Sequence, residues 1–142
     1  MSEKKQIEEL ENKIASLEES LKRLAILLEP NEKYPYWHKL LCLGIDEGQK
    51  RDLEYIMSFL TSRLNREEEF LNYKGDGAHR FPSDLYSDEI PTVHSTIAII
   101  SKTLHIRHEE IIKEILLSMF KQGMFTQIIT FLFPSETKSN QD

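Results

Sequence analysis

One cysteine stands in the whole chain, Cys42. A single thiol excludes an intrachain disulfide and any multi-cysteine zinc site. It lies in the apolar run Leu40, Leu41, Cys42, Leu43. There a cysteine is expected to act as a small buried hydrophobe, with a catalytic thiol as the other reading. Long apolar runs are missing as well. None approaches the roughly 20 residues that cross a bilayer. The opening "MSEKKQIEEL" has no apolar centre of signal-peptide type. A soluble, cytoplasmic protein that does not enter membranes is expected. Positive charge is the minority sign: the net charge is −6 and the pI about 5.4. Duplex DNA is a dense polyanion, so this balance makes nucleic acid and anionic lipid poor partners.

The signatures of common chemistries are also absent. No phosphate-cradling glycine loop, nucleophile elbow or dinucleotide fingerprint occurs. "GDG" at 75–77 lacks the lysine and the helix start that a phosphate loop needs. No carboxylate pair stands out from the acidic background. No stretch alternates with period two, so no sheet is expected, and no internal repeat is found.

What remains is helical. A chain of 142 residues with 39% hydrophobic content fits one domain with one core. Charged residues reach 30%, above the usual quarter, which suits exposed amphipathic helices. The expected fold is all-α and multihelical, with about six helices. A long N-terminal heptad helix joins a compact helical globule over 1–134, and 135–142 form a disordered tail.

The heptad is the clearest signal. Ile7, Ile14, Leu21 and Leu28 hold position a, and Leu10, Leu17 and Leu24 hold position d. Residues 3–28 would make a rod of roughly 39 Å. Its front is narrow-seamed and otherwise polar. Its end, Leu24 to Leu28, is apolar all round, which predicts a plug buried in the globule. The stripe suits a two- or three-stranded seam between copies, or burial inside one bundle. Three heptads are few for an isolated coiled coil, so an oligomer would need support from the rest of the fold.

Pro30 is expected to end this helix and residues 29–34 to form a tight connection. "EKYPYWHKLLCL" follows at 32–43. Pro35 suits the first turn of a short helix over 35–43, with Tyr36 or Trp37, Leu40, Leu41 and Leu43 inward. Gly44 suits a left-handed stop. Tyr34, Pro35, Tyr36 and Trp37 are read as the junction that pins this helix against the plug and the last helix. The other reading of these aromatics is a ligand pocket. His38 is expected at the rim with its polar tip wet. Trp37→Ala is expected to cost roughly 3–5 kcal/mol.

Asp46 and Gln49 predict a capping box and a third helix over about 46–72, with "NREEEF" at 65–70 as a solvated face. Residues 73–92 are read as a long mobile loop, or as a binding loop using Tyr73, Arg80, Phe81 and Tyr86. Helices are then predicted from Thr92 to near His105, from there to Gly123, and over 124–133.

Two constellations give alternatives. His105 and His108 at i, i+3, with His94 as a third donor, are a possible Zn²⁺ or Ni²⁺ set. Helical zinc motifs use i, i+4, so no metal or other cofactor is expected. The stretch "IISKTLHIRHEEIIKEIL" at 99–116 has the pattern of a helix-turn-helix, a DNA-binding alternative. Its second helix carries Glu109, Glu110 and Glu114, which phosphate repels, and its turn has His105 where glycine is usual. Two packed helices with a short turn are the expected reading.

A heptad helix leading into "KYPYWHKLLCLGIDEGQ" at 33–49, then "LHIRHEEIIKEIL" at 104–116 and "SMFKQGMFTQIITFLF" at 118–133, resembles the YhaI-like family. These are small uncharacterised proteins of Bacillus-type bacteria that carry a domain of unknown function. The similarity covers the two ends of the chain. The middle, about 65–95, departs from it, because the 73–92 loop is longer than the family pattern. The resemblance implies an all-helical fold that assembles as an oligomer and carries no established activity. No catalytic residue can be carried over from it. The chain is therefore expected to be a non-enzymatic homo-oligomer, dimer or trimer, acting through contacts with a protein partner that the sequence does not identify.

Overall fold

The computed structural model describes residues 2–28, 32–71 and 81–138. Among them the secondary structure is helical, with no strand. Helix α1 spans Glu3–Leu27, α2 Pro35–Leu43, α3 Glu47–Leu64 and α4 Glu68–Leu71. A 3₁₀ turn covers Ser83–Tyr86; α5 spans Val93–Leu104, α6 Glu109–Lys121, α7 Thr126–Leu132 and α8 Pro134–Lys138. The four-residue α4 and five-residue α8 are single turns. The others are the expected all-α set of about six.

Helix α6 is the centre. It touches α2, α5, α7 and α8, while α3 closes the other side against α5 and α7. Ile112, Ile115, Leu116 and Met119 of α6 are fully buried, as are Leu53, Ile56, Met57 and Leu60 of α3. Both stripes follow the i, i+3, i+4 spacing that keeps one helix face turned inward.

Local caps fix several boundaries. Asp46 Oδ1 accepts the Gln49 N–H at 2.8 Å, and Gln49 Oε1 accepts the Asp46 N–H at 3.0 Å. That is a complete capping box. Gly44 has φ 68°, and its N–H returns to the α2 carbonyls, so the left-handed stop is present. His105 takes the same role at the end of α5 with φ 57°.

Other boundaries correct the sequence reading. Helix α3 stops at Leu64 rather than near 72, because Arg66 adopts φ 56°. Residues 65–69 are exposed, with 65–67 forming the turn and Glu68 and Glu69 opening α4. Phe125 at φ 51° delays α7 until Thr126. The tail is not disordered at its start: Ser135–Lys138 lie in α8. Thr137 there is fully buried and its Oγ1 donates to the Phe133 carbonyl at 2.7 Å. Pro30, Tyr73, "GDG" at 75–77, Arg80 and 139–142 lie outside the described residues.

The described part of the 73–92 segment is a packed strap, not a mobile linker. Leu85 is fully buried. Phe81 stacks on Tyr55 with centroids 4.8 Å apart, and Tyr86 meets Phe59 edge-on at 5.3 Å. Arg63, only 2% exposed, donates to the carbonyls of Asp84, Leu85 and Glu89 at 2.7–3.2 Å. Turning this arginine inward ties the strap to α3.

Candidate functional site

Helix α1 leaves the globule. Residues 2–21 are exposed throughout, and Ala25 is the buried residue of the helix. The seven seam residues Ile7, Leu10, Ile14, Leu17, Leu21, Leu24 and Leu28 are each 53–63% exposed. The stripe is therefore not buried within the chain's own bundle. The expected plug is absent too, since Leu24, Ile26, Leu27 and Leu28 all face outward. The physical reason lies in the contact with α2. The small Ala25 lets the two backbones approach, and the large residues beside it project elsewhere.

Two contacts set the direction of α2. His38 Nε2–H donates to the Ala25 carbonyl at 2.8 Å. Lys22 lies beside Gly44. Position 25 thus meets 38 and position 22 meets 44, so α2 runs back antiparallel along α1. His38 is half-buried with a bonded tip, which corrects the wet rim position. Its Nδ1 then accepts in the neutral ring, 3.7 Å from the Sγ of Cys42. Cys42 itself is half-buried rather than enclosed.

The junction residues divide. Tyr36 is fully buried, and with Leu40 and Leu43 it forms the stripe that faces α6. Trp37 is 50% and Leu41 53% exposed, one step of about 100° round the helix from that stripe. Trp37 stacks on Tyr34, with centroids 4.6 Å apart and planes 6° from parallel. Neither aromatic pins α2 to the last helix, because α2 packs on α6. Tyr36 carries the burial that the sequence assigned to either aromatic.

Leu41 forms a ridge between two shallow clefts. One, of about 300 Å³, is lined by Glu18, Leu21 and Lys22 of α1 with Leu40, Leu41 and Ile45. The other, of about 360 Å³, is lined by Trp37, Leu40, Leu41, Ile45, Glu47 and Lys50. The seam residue Leu21 and the α2 residue Leu41 thus share one cleft, so the apolar stripe of α1 runs on into α2.

The histidines do not gather. His94 opens α5 and His105 closes it, about 16 Å apart by helical rise. Among the described residues no group of three His, Cys, Asp or Glu is placed to hold a metal. His105, Arg107 and His108 instead rim a cleft of about 450 Å³ floored by Leu43, Ile45, Ile106 and Ile111. The α5–α6 pair is present, but α6 is enclosed by four neighbours and its outer edge exposes Glu109, Glu110 and Glu114. Lys39 pairs with Glu114 at 2.8 Å, and Lys113 with Glu136 at 2.9 Å.

Charge perturbations follow packing rather than chemistry. Burial pushes the Tyr36 hydroxyl well above its ordinary value, and Glu54 and Glu47 push the same way. Burial lowers Arg63, opposed by the acidic strap. The hydrogen bond with Lys113 holds Glu136 below the usual carboxylate range and raises Lys113. None of these groups converges on a shared cleft. Among the described residues no helix is long and apolar enough to cross a membrane. No family model, no curated protein and no solved structure matches the chain.

Proposed function

We propose that this chain is a non-enzymatic helical protein of the cytoplasm that assembles with itself through α1 and acts by protein–protein contact. The observation that carries the reading is the seam. Seven large apolar side chains in strict a/d register are all more than half exposed on one helix. An apolar stripe of this length is suited to the core of a stable interface, which buries about 800 Å² per partner. Monomers rarely leave so large a contiguous apolar patch in water. The resemblance of the chain's two ends to the YhaI-like family points the same way, since it implies an oligomer.

The test is absolute mass by light scattering on a sizing column. The wild type is expected to run as a dimer or trimer and Leu17→Asp as a monomer. A monomeric wild type would overturn the reading.

A further inference from the structure

Leu27 is 82% exposed, the highest fraction among the exposed large hydrophobics of the described residues. In the heptad it occupies position g, where Gln6, Lys13 and Ser20 are polar. No contact among the described residues buries a leucine there. Trp37 and Leu41 raise the same question on α2. Geometry gives both the same answer.

Ala25 holds position e, so α2 lies along the e side of its own α1. Two antiparallel helices that meet at Ala25 and His38 have a fixed relative rotation. It turns Trp37 and Leu41 to the side that the a/d seam also faces, as the cleft shared by Leu21 and Leu41 requires. The exposed apolar face is therefore two helices wide. In a parallel coiled coil, the e edge of one helix lies beside the g edge of the next. An in-register neighbour then carries its Leu27 at the level of Ala25 and His38, directly over Trp37, with its Leu24 over Leu41.

We infer that a second copy of this chain docks in parallel and in register, with Leu27 and Leu24 of one copy seated on Trp37 and Leu41 of the next. The inference rests on assembly through α1 and adds orientation and a second contact layer. Charge agrees with it. Lys13 at g faces Glu18 at e of the neighbour in the parallel arrangement. In the antiparallel one, e faces e, so Glu11 meets Glu18 and the polar N-terminal turns of α1 fall on Trp37. Area agrees as well. Leu27, Trp37 and Leu41, each at least half exposed, add apolar surface to the seam, as an interface of standard size needs. They also supply the support that three heptads lack alone. The same edge-to-edge relation holds in a parallel dimer or trimer.

Disulfide trapping tests this in a Cys42→Ser background, which removes the one native thiol. Each added cysteine replaces an exposed side chain, and circular dichroism checks the fold. Ile14→Cys is expected to form a covalent dimer under mild oxidation, since equivalent a positions meet only in a parallel, in-register pair. A mixture of Leu27→Cys and Trp37→Cys chains is expected to give the mixed dimer. Trp37→Ala is expected to weaken association by roughly tenfold or more. Trapping at Ile14 without the mixed dimer would overturn the α2 contact while leaving assembly through α1 intact. A multimer that traps at neither place would overturn the parallel register. A monomer by light scattering would remove the reading on which both rest.

Discussion

Gln122 Oε1 accepts the backbone N–H of Tyr36 at 3.0 Å across 86 positions of sequence. The Trp37 N–H reaches the same oxygen at 3.3 Å. Helix α2 begins with Pro35, which has no N–H, and the side chain of Tyr34 at its N-cap makes no cap hydrogen bond. The orphan donors of the first turn are instead capped from the far end of α6. Gln122→Ala is expected to cost about 1–2 kcal/mol, the range of a lost N-cap. Gln122→Glu keeps the acceptor and is expected to recover most of it. Urea unfolding in the Leu17→Asp background reads both without interference from assembly.

Arg63 is the second long-range tie. Its guanidinium satisfies the carbonyls of Asp84, Leu85 and Glu89. Arg63→Met leaves these acceptors unpaired and is expected to cost on the order of 3 kcal/mol, since bonds to charged groups are the stronger kind. Arg63→Lys is expected to recover little, because one ammonium cannot reproduce the planar fork. Urea midpoints give the loss, and limited proteolysis should show faster cleavage within residues 81–90. An unchanged cleavage rate would mean that Leu85 and the aromatic contacts hold the strap alone.

Tyr36 makes a prediction about pH. Its hydroxyl is buried without a hydrogen-bond partner among the described residues. Burial raises its pKa above the unfolded value of about 10. The native state therefore holds a proton that the unfolded chain releases in alkali. This contribution to stability is complete below about pH 10 and declines as pH rises above it. Tyr36→Phe is expected to remove that decline and to be neutral, or stabilising by up to about 1 kcal/mol, at pH 7. Tyr36→Ala is expected to cost about 3–5 kcal/mol. Melting temperatures of the wild type and Tyr36→Phe between pH 7 and pH 11 check the sign.

How much of this is legible in the sequence depends on the range of each signal. Pro35, Gly44 and the Asp46–Gln49 box act within one turn, and they place α2 and the start of α3 correctly. The heptad stripe was readable as apolar, but a stripe says that a face wants cover and not what covers it. Hence Leu24 to Leu28 looked like a plug. Tyr36 and Trp37 are one residue apart, and only the position of α6 decides which turns inward. Arg63 and Thr137 gave no warning because polar residues are expected outside. Their partners lie in the strap and in the Phe133 carbonyl, and no local spacing encodes the first of these. The apolar stripe of α1 was legible residue by residue, its exposure was not, and the α2 ridge beside it required the antiparallel α1–α2 pairing.

The exposure of α1 has one further consequence. A helix with water on every side over residues 2–21 has little but its own propensity to hold it, and at this length that is marginal. In a self-assembling chain the helix content of each copy then rises with protein concentration. On the proposed assembly, an unpaired copy would hold its first helix less firmly than an assembled one.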